Sequence, residues 1–273
     1  MLILGVIGYF GYSAYRHVQP YIAGSGCQAG TGTNAVSLDT QQASIAATIA
    51  GVAARERLPA HAVTIAYATA MQESHMHNLD YGDRDSVGVF QQRPSEGWGT
   101  ESQLEDPVYA TTQFFAALTR VPGYLQMPVD DAAQAVQHSA DGAAYSQYDR
   151  MAGALTSAYT GKWPRSVWCW YAPGPQPKPN LAGAGQGLTA TFGTSGHGHP
   201  VVSFATQHSA KNPGAAVWVR SAAGWTVASW LVTHAQNYGI TDVRYDGYEW
   251  KTANASSGWQ ADAGSASGSI LLH

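Results

Sequence analysis

Glu73 is the residue around which chemistry can be built. It stands near the end of a stretch, 60–78 (AHAVTIAYATAMQESHMHN), that contains no Pro or Gly and reads as a helix. Ala62, Ala66, Ala70 and Glu73 recur at steps of four, four and three, so they share one narrow helix face, flanked by Ile65 and Thr69. Small residues let such a face pack closely on a neighbour, and this face ends in an acid. Burial and the negative end of a helix both favour the neutral form of a carboxyl group. A carboxyl that keeps its proton near neutral pH can serve as a general acid. A plain surface Glu at a helix end, or a buried structural ion pair with Arg84 or Arg93, is the competing use of the same group.

The residues after Glu73 narrow the chemistry. Residues 78–86 (NLDYGDRDS) form a turn-rich acidic loop carrying Asp80, Asp83 and Asp85. Then come Gly88-Val89-Phe90-Gln91-Gln92 and an irregular segment, 93–99, that holds Trp98. An acid, an acidic loop, a Gly-framed aromatic-Gln turn and a Trp in one short span suit a site that binds and cuts a sugar polymer.

These residues also carry a resemblance. Glu73-Ser74 followed by Gly88-Val89-Phe90-Gln91 resembles the E-S … G-L-M-Q signature of lytic transglycosylases and goose-type lysozymes. The Tyr81-Gly82-Asp83 and Gly88-Val89-Phe90-Gln91 layout is similar to the goose type in particular, in which a Gly-Asp step lies between the acid and the turn. Ala144-Tyr145-Ser146 is similar to the transglycosylase A-Y-N element, with Ser in place of Asn. The resemblance spans 38–161 and none of the C-terminal part. It extends to actinobacterial membrane-anchored or secreted proteins with a lysozyme-like core.

The resemblance implies a substrate, the β-1,4-linked glycan strand of peptidoglycan, and it implies roles. Glu73 is the general acid. In an inverting hydrolase a second carboxylate holds a water on the opposite face of the sugar. Asp83 matches the goose-type position for that, with Asp85 in reserve. Ser74 orients Glu73 or a substrate acyl group, Gln91 the sugar, and Tyr145 the carboxyl of Glu73. Phe90, Gln92 and Trp98 complete the substrate-binding set, with Trp98 near the cleft mouth. In a lytic transglycosylase the sugar's own 6-hydroxyl attacks, and Glu73 acts first as acid and then as base. Gln92-Arg93 stands where goose-type enzymes carry a further Asp, which favours the transglycosylase route. No cofactor is implied. A glycan-binding protein without catalysis, or a structural component of the cell envelope, are the other uses of such a scaffold.

The elements that must position these groups read mostly as helices up to about residue 165. Asp39 is a good N-cap, and Ile45, Ile49 and Val52 form the apolar stripe of a helix ending near Leu58-Pro59. Pro107 opens another helix, with Tyr109, Phe114, Phe115 and Leu118 as its apolar content. Helices over 130–140 and 143–159 are separated by Asp141-Gly142. A small irregular hairpin within 80–90 is the one strand-like feature before 165. The expectation is an α-rich lysozyme-like domain over 38–170, then a Pro/Gly-rich linker over 171–199. A small α/β (α+β) module over 200–273 follows. It is predicted to hold a helix over 225–238, a hairpin turning at Asp246-Gly247, and strands at 217–219 and 270–272. Its aromatic set, Trp218, Trp225, Trp230, Tyr248, Trp250 and Trp259, lines a glycan-binding face or forms a small core. His197, His199, His208 and His234 match no zinc spacing, and no metal is expected.

Composition sets the outer bounds. Charged residues are 12% of the chain, about half the usual ~25% share. A formal charge of −4 argues against nucleic acid, which requires a basic patch. Cys27 and Cys169 bracket the helical region and predict a disulfide, hence an oxidising compartment. Residues 1–22 read as an N-terminal membrane anchor or signal segment, uncharged until Arg16, and 23–37 as a linker. The expected location is the cell membrane with the bulk of the chain outside the cytoplasm, or secretion.

Overall fold

The computed structural model describes residues 24–137, 143–175, 177–193, 201–207 and 214–273. The chain enters on β1 (Gly26–Ala29) and β2 (Val36–Leu38), an antiparallel pair. Two long helices come next, α1 (Thr40–Arg55) and α2 (Ala60–Ser74). After them run α3 (Glu101–Leu104), α4 (Pro107–Leu118), α5 (Val129–Gln137), α6 (Ala143–Ser146) and α7 (Asp149–Tyr159). β3 (Val167–Trp170) then returns to β1, so the first sheet has the order β2-β1-β3. The C-terminal part runs α8 (Leu181–Phe192), β4 (Val202–Gln207), β5 (Gly214–Val219), α9 (Gly224–Thr233) and α10 (Ala235–Tyr238). It ends with β6 (Asp242–Tyr245), β7 (Tyr248–Lys251), β8 (Gln260–Ala261) and β9 (Ser269–Leu272). The second sheet is antiparallel throughout, in the order β4-β5-β9-β6-β7-β8.

The expected architecture of the described residues, an α-rich lysozyme-like domain followed by a small α/β (α+β) module, is corrected. The described residues form a mixed α/β fold with two antiparallel sheets. One continuous core runs from Ile49 and Tyr67 in the helices to Trp250 and Leu272 in the second sheet. α1 is its hub, packed by α2, α4, α8 and α9. Residues 181–192, read as linker, are helix α8. The three glycines of LAGAGQGLTATF lower its helix propensity. Burial of Leu181, Leu188 and Phe192 overrides that preference. α8 reaches α1 at Gly51, where a Cβ would run into the Thr191 methyl and lie 2.8 Å from the Phe192 ring. Side chains cross the expected boundary as well. Trp250 Nε1 donates to the Cys169 carbonyl (3.1 Å), Trp259 Nε1 to Val167 (2.8 Å), and the Tyr171 hydroxyl to Val232 (2.7 Å).

The first sheet also corrects the expectation that a small hairpin within 80–90 is the one strand-like feature before 165. β1 and β2 are four and three residues long, too short for alternation to register. Cys27 lies opposite Cys169 in the β1–β3 register, and the two form a disulfide across 142 residues. Residues 1–23, which include the expected anchor, lie outside the described residues. No helix among the described residues is long and apolar enough to cross a membrane. His197, His199 and His208 also lie outside the described residues. His234 stacks on Trp230 with ring centroids 4.0 Å apart, and burial lowers its pKa to about 4. Trp230 and Trp250 are buried core residues, whereas Trp218 is 49% exposed.

Candidate active site

Glu73 lies in the last turn of α2. Ala62, Ala66 and Ala70, on the same stripe, are fully buried, and Glu73 itself is half-buried. The helix stops earlier than the periodicity predicts. His75 and Met76 take positive φ (51° and 60°), and Met76 N–H closes back on the Ala70 carbonyl at 2.8 Å. The Met76 side chain is then driven inward and fully buried. Hydrophobic burial thus stabilises two left-handed residues that a non-glycine chain otherwise avoids.

α1 helps to fix this exit. Asp39 and Gln42 form a capping box at the start of α1. The same two side chains reach the end of α2: Gln42 Nε2 donates to the His75 carbonyl (2.9 Å), and Asp39 Oδ2 meets His77 Nε2 at 2.8 Å.

The Glu73 carboxyl is held from α6. The Tyr145 hydroxyl donates to Glu73 Oε1 at 2.7 Å, and the Tyr145 ring is buried. Among the described residues Glu73 Oε2 has no hydrogen-bond partner. A parallel rung lies beside this bond, where Gln147 Nε2 donates to Gln72 Oε1 at 3.2 Å. The ion-pair use of Glu73 is not what the arginines do. Arg93 is taken by Asp85 and Glu96, and Arg84 by Asp83.

The Gly88–Gln91 turn is pinned to the acid's helix from several sides. The Ser74 hydroxyl donates to the Val89 carbonyl (2.7 Å), and Gln137 Nε2 of α5 donates to the Phe90 carbonyl (2.8 Å). The Phe90 ring stacks on Phe114 of α4 at 4.4 Å and 10°. Gln91 then ties the turn to the acidic loop, donating from Nε2 to Tyr81 O and Gly88 O (3.2 Å each) and accepting from Ser86 Oγ (3.0 Å). Gly82 makes this approach feasible. A Cβ there would run into Gln91 Oε1 and lie 2.7 Å from the Ser86 carbonyl. Val87 and Gln92 form an isolated antiparallel bridge that closes the segment.

The structure therefore sorts the predicted residues. It brings Glu73, Ser74, Tyr145 and, through the turn, Gln91 into one bonded frame. Ser74 and Phe90 are buried and hold the frame, and Gln92 is buried with its Nε2 directed to the Ala110 carbonyl of α4 (3.4 Å). Trp98 is half-buried against the core, and its carbonyl accepts from the Tyr109 hydroxyl (3.4 Å). Asp85 binds Arg93 Nε (2.8 Å), Ser95 N (2.7 Å) and Ser95 Oγ (3.0 Å). The Ser95 amide first, then Arg93 and the Ser95 hydroxyl, lower its pKa to about 2 against an opposing effect of burial. Asp83 points into solvent, 93% exposed, with Arg84 Nε at 3.8 Å. Sequence reasoning missed Gln137 and the Gln72–Gln147 rung. Neither has a local signal, since each bond links residues far apart in the chain.

No protein-family model matches this chain, and no curated protein matches it either. Its function therefore has to be inferred from the bonded frame around Glu73 and from the short motifs that run through it.

Proposed function

We propose that the protein cleaves the β-1,4 glycan strand of bacterial peptidoglycan, with Glu73 as the proton donor. The observation that carries this reading is the Glu73 carboxyl itself. One oxygen is fixed by Tyr145 at 2.7 Å, and the other has no partner among the described residues. A half-buried carboxyl fixed by one oxygen is pre-oriented to meet a ligand with the other. The substrate class rests on the likeness of Glu73-Ser74, Gly88–Gln91 and Ala144-Tyr145 to the signature of wall-cleaving enzymes.

In the proposed reaction Glu73 protonates the glycosidic oxygen as the C1–O bond breaks, and positive charge develops on the sugar ring. Two ways of quenching that charge are available. In one, a carboxylate-held water attacks from the opposite face. In the other, the sugar's own 6-hydroxyl attacks C1 and returns its proton to the Glu73 carboxylate, leaving an anhydro end. The second route is favoured here, because neither candidate second acid is both held in place and left with a free oxygen. Asp85 spends its oxygens on Arg93 and Ser95, and Asp83 stands in bulk solvent. The disulfide supports a location outside a reducing cytoplasm.

The test is release of soluble fragments from purified sacculi by wild type and Glu73→Gln, with mass analysis of the products. Release by wild type alone supports the assignment, and equal release by both rejects it. Anhydro ends, one water lighter than reducing ends, support the transglycosylase route. Reducing ends alone select the hydrolase.

A further inference from the structure

We infer that Tyr81 is the aromatic platform on which the glycan strand stacks as it reaches Glu73. This rests on the reading of Glu73 as a glycan-cleaving acid. A saccharide chain has apolar pyranose faces, and an aromatic ring held open to solvent is the side chain that binds them. Sequence reasoning offers Phe90 and Trp98 for that task. Phe90 is fully buried in its stack on Phe114, and Trp98 is half-buried against the core. Tyr81 is the opposite case. At 68% it is the most exposed large hydrophobic side chain among the described residues.

Its backbone is nevertheless held firmly. The Tyr81 carbonyl accepts from Gln91 Nε2 at 3.2 Å. The loop that carries it is closed at its base by Gly88 N–H donating to Leu79 O at 2.7 Å. Gly82 lets the chain lie against Gln91, and Ser86 Oγ bonds both the Asp83 carbonyl (2.8 Å) and Gln91 Oε1 (3.0 Å). Gln91 Nε2 also donates to the Gly88 carbonyl of its own turn, and the Val89 carbonyl of that turn accepts from Ser74, next to the acid. A loop fixed in this way loses little backbone freedom when a ligand covers the ring it carries. The neighbouring Asp83 and Arg84 side chains are 93% and 70% exposed and partner each other, so their charges largely cancel beside a neutral sugar.

The experiment uses the full chain in a Glu73→Gln background, so that the polymer stays intact. Sedimentation with purified sacculi and with chitin beads measures retention of Glu73→Gln, Glu73→Gln/Tyr81→Ala and Glu73→Gln/Tyr81→Trp. We expect the Ala variant to bind about fivefold more weakly, the loss of one stacked ring, and the Trp variant to bind as well as its parent. Thermal unfolding is expected to be unchanged in all three, which separates lost binding from lost fold. In the active background Tyr81→Ala is expected to raise KM and leave kcat. Equal retention of the parent and the Ala variant overturns the inference and leaves Glu73 standing. A parent that is not retained on either polymer, together with a wild type that releases no fragments, overturns the reading of Glu73 and the inference with it.

Discussion

Replacing Tyr145 by Phe tests the central geometry directly. The substitution keeps a buried ring and deletes the hydroxyl that donates to Glu73 Oε1 at 2.7 Å. A hydrogen bond to a charged or ionisable group contributes about 1.5–3 kcal/mol net. Glu73 is half-buried, so water replaces part of the lost bond, and about 1–2 kcal/mol is the better expectation. If the bond positions the acid for catalysis, that corresponds to a loss of about 5- to 30-fold in kcat. KM is expected to stay, because the Tyr145 ring is buried and its hydroxyl meets the acid. Loss of the acid itself in Glu73→Gln is larger, about 100- to 10,000-fold. Fragment release from sacculi gives the rates. A stability cycle of Tyr145→Phe with Glu73→Ala, read by thermal unfolding, gives the coupling. We expect a coupling of about 1–2 kcal/mol, against ~0.3 kcal/mol for independent sites. Full activity in Tyr145→Phe, or an additive cycle, refutes a positioning role for this hydroxyl.

Two other contacts lead to expected outcomes. Cys27→Ala/Cys169→Ala opens a loop closed across 142 residues, and chain entropy predicts a stability loss of about 5 kcal/mol. Thermal unfolding with and without reductant measures it, and titration of the unreduced, unfolded chain is expected to find no free thiol. Asp85 has a folded-state pKa of about 2, below the ~3.9 of an unfolded Asp. Its contribution to stability is therefore complete above pH ~4 and is lost as pH falls from ~4 toward 2. The stability gap between wild type and Asp85→Asn is expected to close over that window. A gap that persists unchanged at pH 2 removes the Arg93–Ser95 anchor as its cause.

Much of the local structure is legible in the residues. The three- and four-residue steps through Ala62, Ala66, Ala70 and Glu73 belong to a single helix turn repeat, so they report α2 without any tertiary partner. Asp246-Gly247 turns β6 into β7 with both residues at positive φ (51° and 81°), a preference carried by the dipeptide itself. Asp39 caps α1 through its own third neighbour, Gln42. The pairing of Cys27 with Cys169 follows from there being two cysteines in the chain.

Other decisions needed the folded chain. α8 is a helix despite three glycines because Leu188 and Phe192 find a core across α1, and the helical spacing of Leu181, Ala184, Leu188 and Phe192 does not name that partner. The same contact merges two expected modules into one mixed α/β fold, since the aromatics of the C-terminal sheet complete a core begun by the helices. Around Glu73 the chain supplies an acid, a Tyr, several Gln and three aromatics without saying which face outward. Burial made Ser74, Phe90 and Gln92 into scaffolding, drew Trp98 half inside and left Tyr81 in solvent. The Tyr145–Glu73 bond spans 72 residues. Residue type and spacing propose chemistry, because bonding capacity is local to a side chain. Exposure and partnership are set by packing between distant segments, which a linear pattern does not contain.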